Sequence, residues 1–307
     1  MTLDNGGPLL AIVGEQSIEC LFGTCGAGRR SKGTDSAMQG RISIRVTDGV
    51  ADVKLTRSEK MNALDHGMFE ALVEAGEKLK ADRSVRVVVL SGEGRAFCAG
   101  LDMGNFSNMA EGSGGKAVPR DLIARTHGAA NRPQYAVWVW RELPVPVIAA
   151  VHGVAFGGGF QLALGADIRY VAPDTRMSVM EIKWGLVPDM AGTQLMRHLA
   201  REDIVRELTY TGRVFTGQEA FAMGFATRVT DEPYGDAMTT AREIASKSPD
   251  AIRASKRILN SAVITQPVDG LTSEAAEQQV LIGSPNQVEA IMSNLEKRAP
   301  RYADPAA

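Results

Sequence analysis

Two glycine-rich stretches carry the residue types best placed to do chemistry. The clearer one is His152-Gly153-Val154-Ala155-Phe156-Gly157-Gly158-Gly159-Phe160-Gln161. Three consecutive glycines let the main chain approach a ligand with no side chain between, and bare N–H groups at a helix N-terminus attract negative charge. The same residues equally suit a tight turn with close strand–helix packing, so the triplet alone decides nothing. What adds weight is a second loop of similar design upstream, Ser91-Gly92-Glu93-Gly94-Arg95-Ala96-Phe97-Cys98-Ala99-Gly100-Leu101-Asp102. One carboxylate also stands out: Glu181 lies among Val179, Met180 and Ile182, unlike a surface acid.

The elements that must position these loops can be read on either side of them. An apolar run from Pro146 to Val151 reads as a buried strand before the second loop, and Phe160 to Leu164 as a helix after it. Val85 to Leu90, broken only by Arg86, reads as a buried parallel strand running into the first loop. Upstream, alternation over Ile42, Ile44 and Val46 and again over Val50 to Leu55 predicts a hairpin turning at Asp48-Gly49. Phe69, Leu72, Val73, Gly76 and Leu79 fall on one helical face, with Asp65 as N-cap. A helix is expected over about Asn131 to Arg141. Its Trp138, Val139 and Trp140 suit either ordinary core or the lining of an apolar pocket. Strands follow at Ile168 to Val171 and Met177 to Met180, and from Gln194 the pattern turns helical. Recurring strand–loop–helix units predict an α/β sheet wound with helices, followed by a helical region. The irregular stretch from Met103 to Pro119 is long enough to expect a functional role.

With 307 residues, 44% of them hydrophobic, the chain can bury a full core. Its formal net charge of -2 gives no global field for nucleic acid or an anionic membrane, and no apolar run approaches a membrane span. Cys20, Cys25 and Cys98 cannot all pair and lack zinc-like spacing with the histidines, so no metal is expected and a reducing, cytoplasmic setting is. Residues 1–39, rich in Gly, Ser and Arg over Gly23 to Asp35, read as a disordered extension or an over-long start, with folding beginning near Met38. The expected organisation is therefore an extension over 1–39, a core over 40–230 and a C-terminal helical region over 231–307.

Taken together, the loops resemble the crotonase (enoyl-CoA hydratase/isomerase) superfamily from Arg41 to Arg301. The residues that carry the likeness are Met61-Asn62-Ala63-Leu64, Gly94 through Asp102, Ala150 through Gly159, Ala166-Asp167-Ile168 and Glu181 through Gln194, in that order. The resemblance implies a spiral of β-β-α units with a C-terminal helical region used in trimerisation, as a homotrimer or dimer of trimers. It implies an acyl-CoA substrate, with coenzyme A as part of that substrate and no separate cofactor. The thioester oxygen would lie between the backbone N–H groups of Leu101 and Gly158, which stabilise the enolate charge. Lys60, Asn62, Ala63 and Leu64 would lie along the CoA moiety, with Arg57 and Lys60 near its phosphates and Lys297-Arg298 a weaker candidate. Ala99, Asp102 and Gly157 would complete the binding surface.

Two departures from the family pattern bear on the chemistry. Family hydratases use two glutamates, and the position of the first holds Gln161, whose amide cannot exchange protons near neutral pH. Eight residues beyond Glu181, where hydratases carry glycine, stands Asp189, which resembles the dienoyl-CoA isomerase branch. The expected catalytic set is Glu181 as proton shuttle, Asp189 as modulator or second acid/base group, and Gln161 as an orienting donor. Asp189 also suits a helix N-cap. Double-bond isomerisation is favoured. True hydration with Glu181 orienting the water, or a catalytically weak acyl-CoA-binding protein, remain as alternatives.

Overall fold

A computed structural model describes residues 34–38, 40–105 and 121–305. The sheet begins with β1 (Thr34–Met38), which pairs antiparallel with β2 (Ile42–Thr47), itself antiparallel to β3 (Val50–Leu55). Ordered pairing therefore starts before the expected boundary at residue 40; the remainder of the 1–39 expectation lies outside the described residues. From β3 the sheet continues in parallel through β4 (Val87–Gly92), β5 (Val147–Val151), β7 (Ile168–Val171) and β9 (Arg228–Val229). A separate parallel pair, β6 (Val154–Phe156) with β8 (Arg176–Ser178), stands beside it.

Alternation of side chains across the strands explains why both faces are covered. Val88, Leu90, Val147, Ala149 and Val151 enter one core, while Val87, Val89, Ile148 and Ala150 enter another on the opposite face. The first core is closed by α1 (His66–Ala81), α2 (Arg132–Glu142) and α3 (Gly158–Leu164). The expected cap of α1 is present, the Asp65 carboxylate accepting from the Met68 N–H, and at α2 Asn131 with Gln134 forms a capping box. Trp140 and Val139 are buried in this core and Trp138 packs at its edge, so the α2 tryptophans serve as core. Phe160 meets Phe215 and Phe225 edge-on at 5.6 and 5.4 Å, fixing α3 to the chain that follows.

Between those two segments lie α4 (Gly192–Met196), α5 (Glu202–Thr211) and α6 (Gly217–Met223). The second core is closed by α7 (Pro233–Ala245), whose Ala237, Ala241 and Ala245 make a smooth stripe against the sheet. Small side chains let the helix lie close to the strands. The start of the region expected as a C-terminal appendage is thus integral to the sheet. Beyond it run α8 (Pro249–Ala262), α9 (Pro267–Leu281) and α10 (Pro285–Leu295), which expose Leu259, Val268, Leu271, Val280 and Leu295. No helix among the described residues is long and apolar enough to cross a membrane.

One buried cation ties α8 to the body. Lys256 is 5% exposed and its Nζ donates to the carbonyls of Val145 (2.8 Å) and Trp140 (3.5 Å) and to Asp167 Oδ2 (2.7 Å). Asp167 Oδ2 also accepts from the Val147 N–H at 2.8 Å, so the pair clamps the entry to β5. Removing Lys256 leaves Asp167 with Arg141, 3.8 Å away, as its remaining charged partner among the described residues. Lys256→Ala is expected to cost about 3 kcal/mol in denaturant unfolding, the low end for a buried pair because Asp167 keeps some water.

Candidate active site

Three adjacent strands, β3, β4 and β5, end on the same edge of the sheet, and the loop leaving each one contributes to a single cavity of about 650 Å³. Loop 56–65 follows β3, loop 93–102 follows β4, and the short β6 strand with Gly157 follows β5. Crevices outside the carboxyl ends of parallel strands are where open α/β sheets bind ligands.

Main-chain bonding fixes these loops to one another. Leu64 forms a parallel bridge with Leu101: its N–H donates to the Gly100 carbonyl (2.8 Å) and its carbonyl accepts from the Asp102 N–H (3.0 Å). That pattern uses the groups on either side of Leu101 and turns the Leu101 N–H the other way. Cys98 bridges Ala155 in the same manner, through Cys98 N–H to Val154 (3.0 Å) and Phe156 N–H to Cys98 (3.1 Å). Gly157 has φ +51° and donates to the Ser178 carbonyl at 3.0 Å, which starts α3 at Gly158. The Gly158 N–H belongs to the first turn, where the helix ladder has no acceptor for it. A Cβ built on Gly100 would lie 3.7 Å from the Gly158 nitrogen, so the two loops meet there.

The carboxylates come from the segment after β8. Glu181 opens a 3-10 turn (Glu181–Trp184), and its carboxylate stands against Gly157: a Cβ there would be 3.2 Å from Glu181 Oε1. Gln161 is fully buried, and its Nε2 donates to Glu181 Oε1 at 2.6 Å. Its Oε1 accepts from the N–H groups of Met190 and Gly192, both at 2.9 Å. Glu181 Oε2 is buried with no hydrogen-bond partner among the described residues. Burial raises the Glu181 pKa above its ordinary 4.5, against the lowering effect of the Gln161 donor, and the Asp189 charge raises it further. Asp189 is exposed to the cavity, yet the surrounding walls desolvate it enough to raise its pKa as well. It caps no helix: the N-cap of α4 is Ala191, at φ +66°.

Among the other residues singled out in the sequence, Lys60, Ala63, Ala99, Leu101, Asp102, Gly157 and Gly158 line the cavity, as do Glu181 and Asp189. Two residues expected along the CoA moiety, Asn62 and Leu64, stand off the cavity wall. Asn62 has φ +55° and is fully buried; its Nδ2 donates to the carbonyls of Glu93 (3.0 Å) and Ala96 (2.9 Å), so it braces loop 93–102. Leu64 is likewise buried and supports the loop from behind. Gln161 also stays off the cavity wall and reaches only Glu181 and the 190–192 turn.

Arg57 is committed too: it donates to Asp102 Oδ2 (2.6 Å) and the Ala63 carbonyl (3.0 Å), and lies 3.5 Å from Asp65. That leaves Lys60, exposed on the cavity wall, as the cation of this loop with no ion pair among the described residues. Cys98 is buried, donates weakly to the Asn62 carbonyl (3.1 Å), and has its thiol pKa pushed up to about 12 by burial. Sequence reasoning missed much of the apolar wall, including Trp184, Leu186, Met190 and Leu122. Of the Met103–Pro119 stretch, residues 106–119 lie outside the described residues.

Comparison with known proteins agrees with this arrangement. A family model described as enoyl-CoA hydratase/isomerase matches residues 45–305. The chain is 31% identical to mouse (Mus musculus) mitochondrial methylglutaconyl-CoA hydratase over 287 residues, covering 90% of this chain and 88% of that protein. It is 36% identical to the rat (Rattus norvegicus) mitochondrial Delta(3,5)-Delta(2,4)-dienoyl-CoA isomerase over 225 residues, covering 70% and 67%. The crystal structure of an enoyl-CoA hydratase from Bacillus anthracis superposes with a TM-score of 0.77 at 29% identity, over 86% of this chain and all of that one. Glycine loops joined at the sheet edge, a cavity beneath them and a match across nearly the whole described chain lead to one assignment: this is an enzyme of the enoyl-CoA hydratase/isomerase family, with the crotonase fold.

Proposed function

We propose that this enzyme moves a double bond within a fatty acyl-CoA thioester, with Glu181 as the proton shuttle. The observation that carries the reading is the state of Gln161. Its amide holds no proton it can exchange near neutral pH, while two carboxylates, Glu181 and Asp189, stand on the cavity wall with raised pKa values.

In this reading the thioester oxygen accepts from the N–H groups of Leu101 and Gly158. Glu181 removes a proton from C2 of a 3-enoyl thioester. The electron pair moves into the C1–C2 bond, and the charge on the thioester oxygen is held by the two amides. When the enolate collapses, C4 takes the proton back from Glu181, and the double bond ends between C2 and C3. With a conjugated 3,5-dienoyl chain the return site lies further along, where Asp189 serves as the second acid. Lys60 faces the phosphates of coenzyme A, which is part of the substrate and not a separate cofactor. Likeness to methylglutaconyl-CoA hydratase favours a second reading, hydration with Glu181 orienting the water. The exposed apolar residues of α8–α10 support assembly as a homotrimer or dimer of trimers.

Assays of the purified protein on 2-enoyl-, 3-enoyl- and 3,5-dienoyl-CoA decide between these readings. Conversion of the 3-enoyl or 3,5-dienoyl substrate is expected, and turnover of the 2-enoyl substrate alone refutes isomerisation. Glu181→Gln should lower kcat by about 10²–10⁴-fold while leaving CoA binding intact.

The raised pKa of Glu181 also fixes a sign. A base must be ionised, so kcat/KM should fall as pH drops through a value above the ordinary 4.5. Because the folded carboxyl holds its proton more tightly than the unfolded one, its contribution to stability is fully present below the unfolded pKa. That contribution is lost as pH rises through the folded pKa. The gain in Tm from Glu181→Gln should therefore be larger at about pH 8 than at about pH 4. Light scattering of the purified chain should give a mass of three or six protomers.

A further inference from the structure

Gln161 touches no cavity surface, yet three of its hydrogen bonds converge on the catalytic segment. Two backbone donors, the Met190 and Gly192 N–H groups, both point at its Oε1 at 2.9 Å. A side-chain amide turned the other way would set its own N–H₂ against those donors, so the amide has only one acceptable orientation. Its nitrogen must then face Glu181 Oε1, where it donates at 2.6 Å. Protonating Oε1 would leave only a hydroxyl oxygen, a weaker acceptor than a carbonyl or carboxylate oxygen, to receive this bond, so the Gln161 donor favours keeping the proton off Oε1. The oxygen left to carry a proton is Oε2, which is buried and has no other partner among the described residues.

The surroundings make this orientation rigid. Gln161 is buried completely, in the middle of α3. A Cβ on Gly192 would fall 2.5 Å from Gln161 Oε1 and 2.8 Å from its Cδ, so glycine there admits the amide. Ala191 between the two donors is held at φ +66°, the left-handed backbone that lets successive N–H groups point at one acceptor. The other charged groups lining the same cavity are Asp189, Arg176, Lys60, Glu59, Asp102 and Lys183, whose Nζ lies over the Trp184 ring at 5.3 Å.

We propose that Gln161 is a positioning residue that selects the working oxygen of Glu181: the Met190 and Gly192 amides fix Gln161, and Gln161 confines the shuttled proton to Oε2. The proposal rests on Glu181 being the proton acceptor of the reaction. It goes further in assigning the geometry of that acceptor to a residue that meets no substrate.

The test compares Gln161→Met and Gln161→Glu with the unmodified enzyme. Losing the donor removes an interaction that favours ionised Glu181, so Gln161→Met should move the acid limb of kcat/KM upward by about one pH unit. It should lower kcat about tenfold with KM little changed. Gln161→Glu keeps an acceptor for the two backbone amides but places a carboxyl oxygen against Glu181 Oε1. That pair must share a proton, so the acid limb should move up further than in Gln161→Met.

Unchanged pH profiles in both variants, with folded protein by circular dichroism, would overturn the proposal. So would a fall in kcat with no movement of the limb. Difference infrared spectroscopy of the Glu181 carboxyl, assigned by its loss in Glu181→Gln, reads the same titration without substrate. An upward shift there supports the positioning role even if the enzyme proves to be a hydratase, and a shift of zero rejects it even if isomerisation is found.

Discussion

The structure depends on two main chains meeting with nothing between them. Loop 93–102 and the segment 154–159 touch through backbone atoms, joined by the Cys98–Ala155 bridge. A Cβ on Gly159 would lie 2.2 Å from the Cys98 carbonyl oxygen, and one on Gly100 would lie 2.5 Å from that of Phe156. Real Cβ atoms do not approach so closely, so glycine at both positions is a requirement of the joint. This approach brings Leu101 and Gly158 onto the wall of the same cavity. Asn62 from behind loop 93–102 and Leu64 alongside it keep the joint from opening.

Much of the scaffold was legible in the chain. Apolar runs announced β4 and β5 as buried strands, and Asp65 marked the start of α1 because a cap has a fixed position relative to the first apolar turn. The same local logic misjudged the C-terminal region. The alanines of α7 are too small to advertise burial, yet their smallness is what lets the helix press on the sheet. The β1 strand was hidden for a related reason: Thr34 to Met38 has no apolar alternation, and its place comes from pairing with β2.

The site divides along a similar line. Glycine loops and the apolar frame of Glu181 are properties of neighbours in sequence, and they could be read. Partnerships between distant side chains could not. Arg57 looked available for phosphates until the fold placed Asp102 against it, 45 residues on. Asn62 looked like a binding residue until its amide was found bracing the 93–96 turn. Asp189 looked able to cap a helix, but α4 starts two residues later than such a cap requires, and the carboxylate is left to the cavity.

The sulfur of Cys98 lies at the centre of the joint between the two loops, enclosed by protein. With a thiol pKa of about 12, the thiolate that electrophiles and peroxides attack is scarcely populated. Oxidation of cysteine begins from that anion, so the ladder from sulfenic to sulfonic acid has no first rung here. An enzyme whose amides are held in place around a thiol would be easy to poison if that thiol were reachable. Enclosure instead makes it a small apolar filler, and shields the joint between the loops from oxidants around the protein.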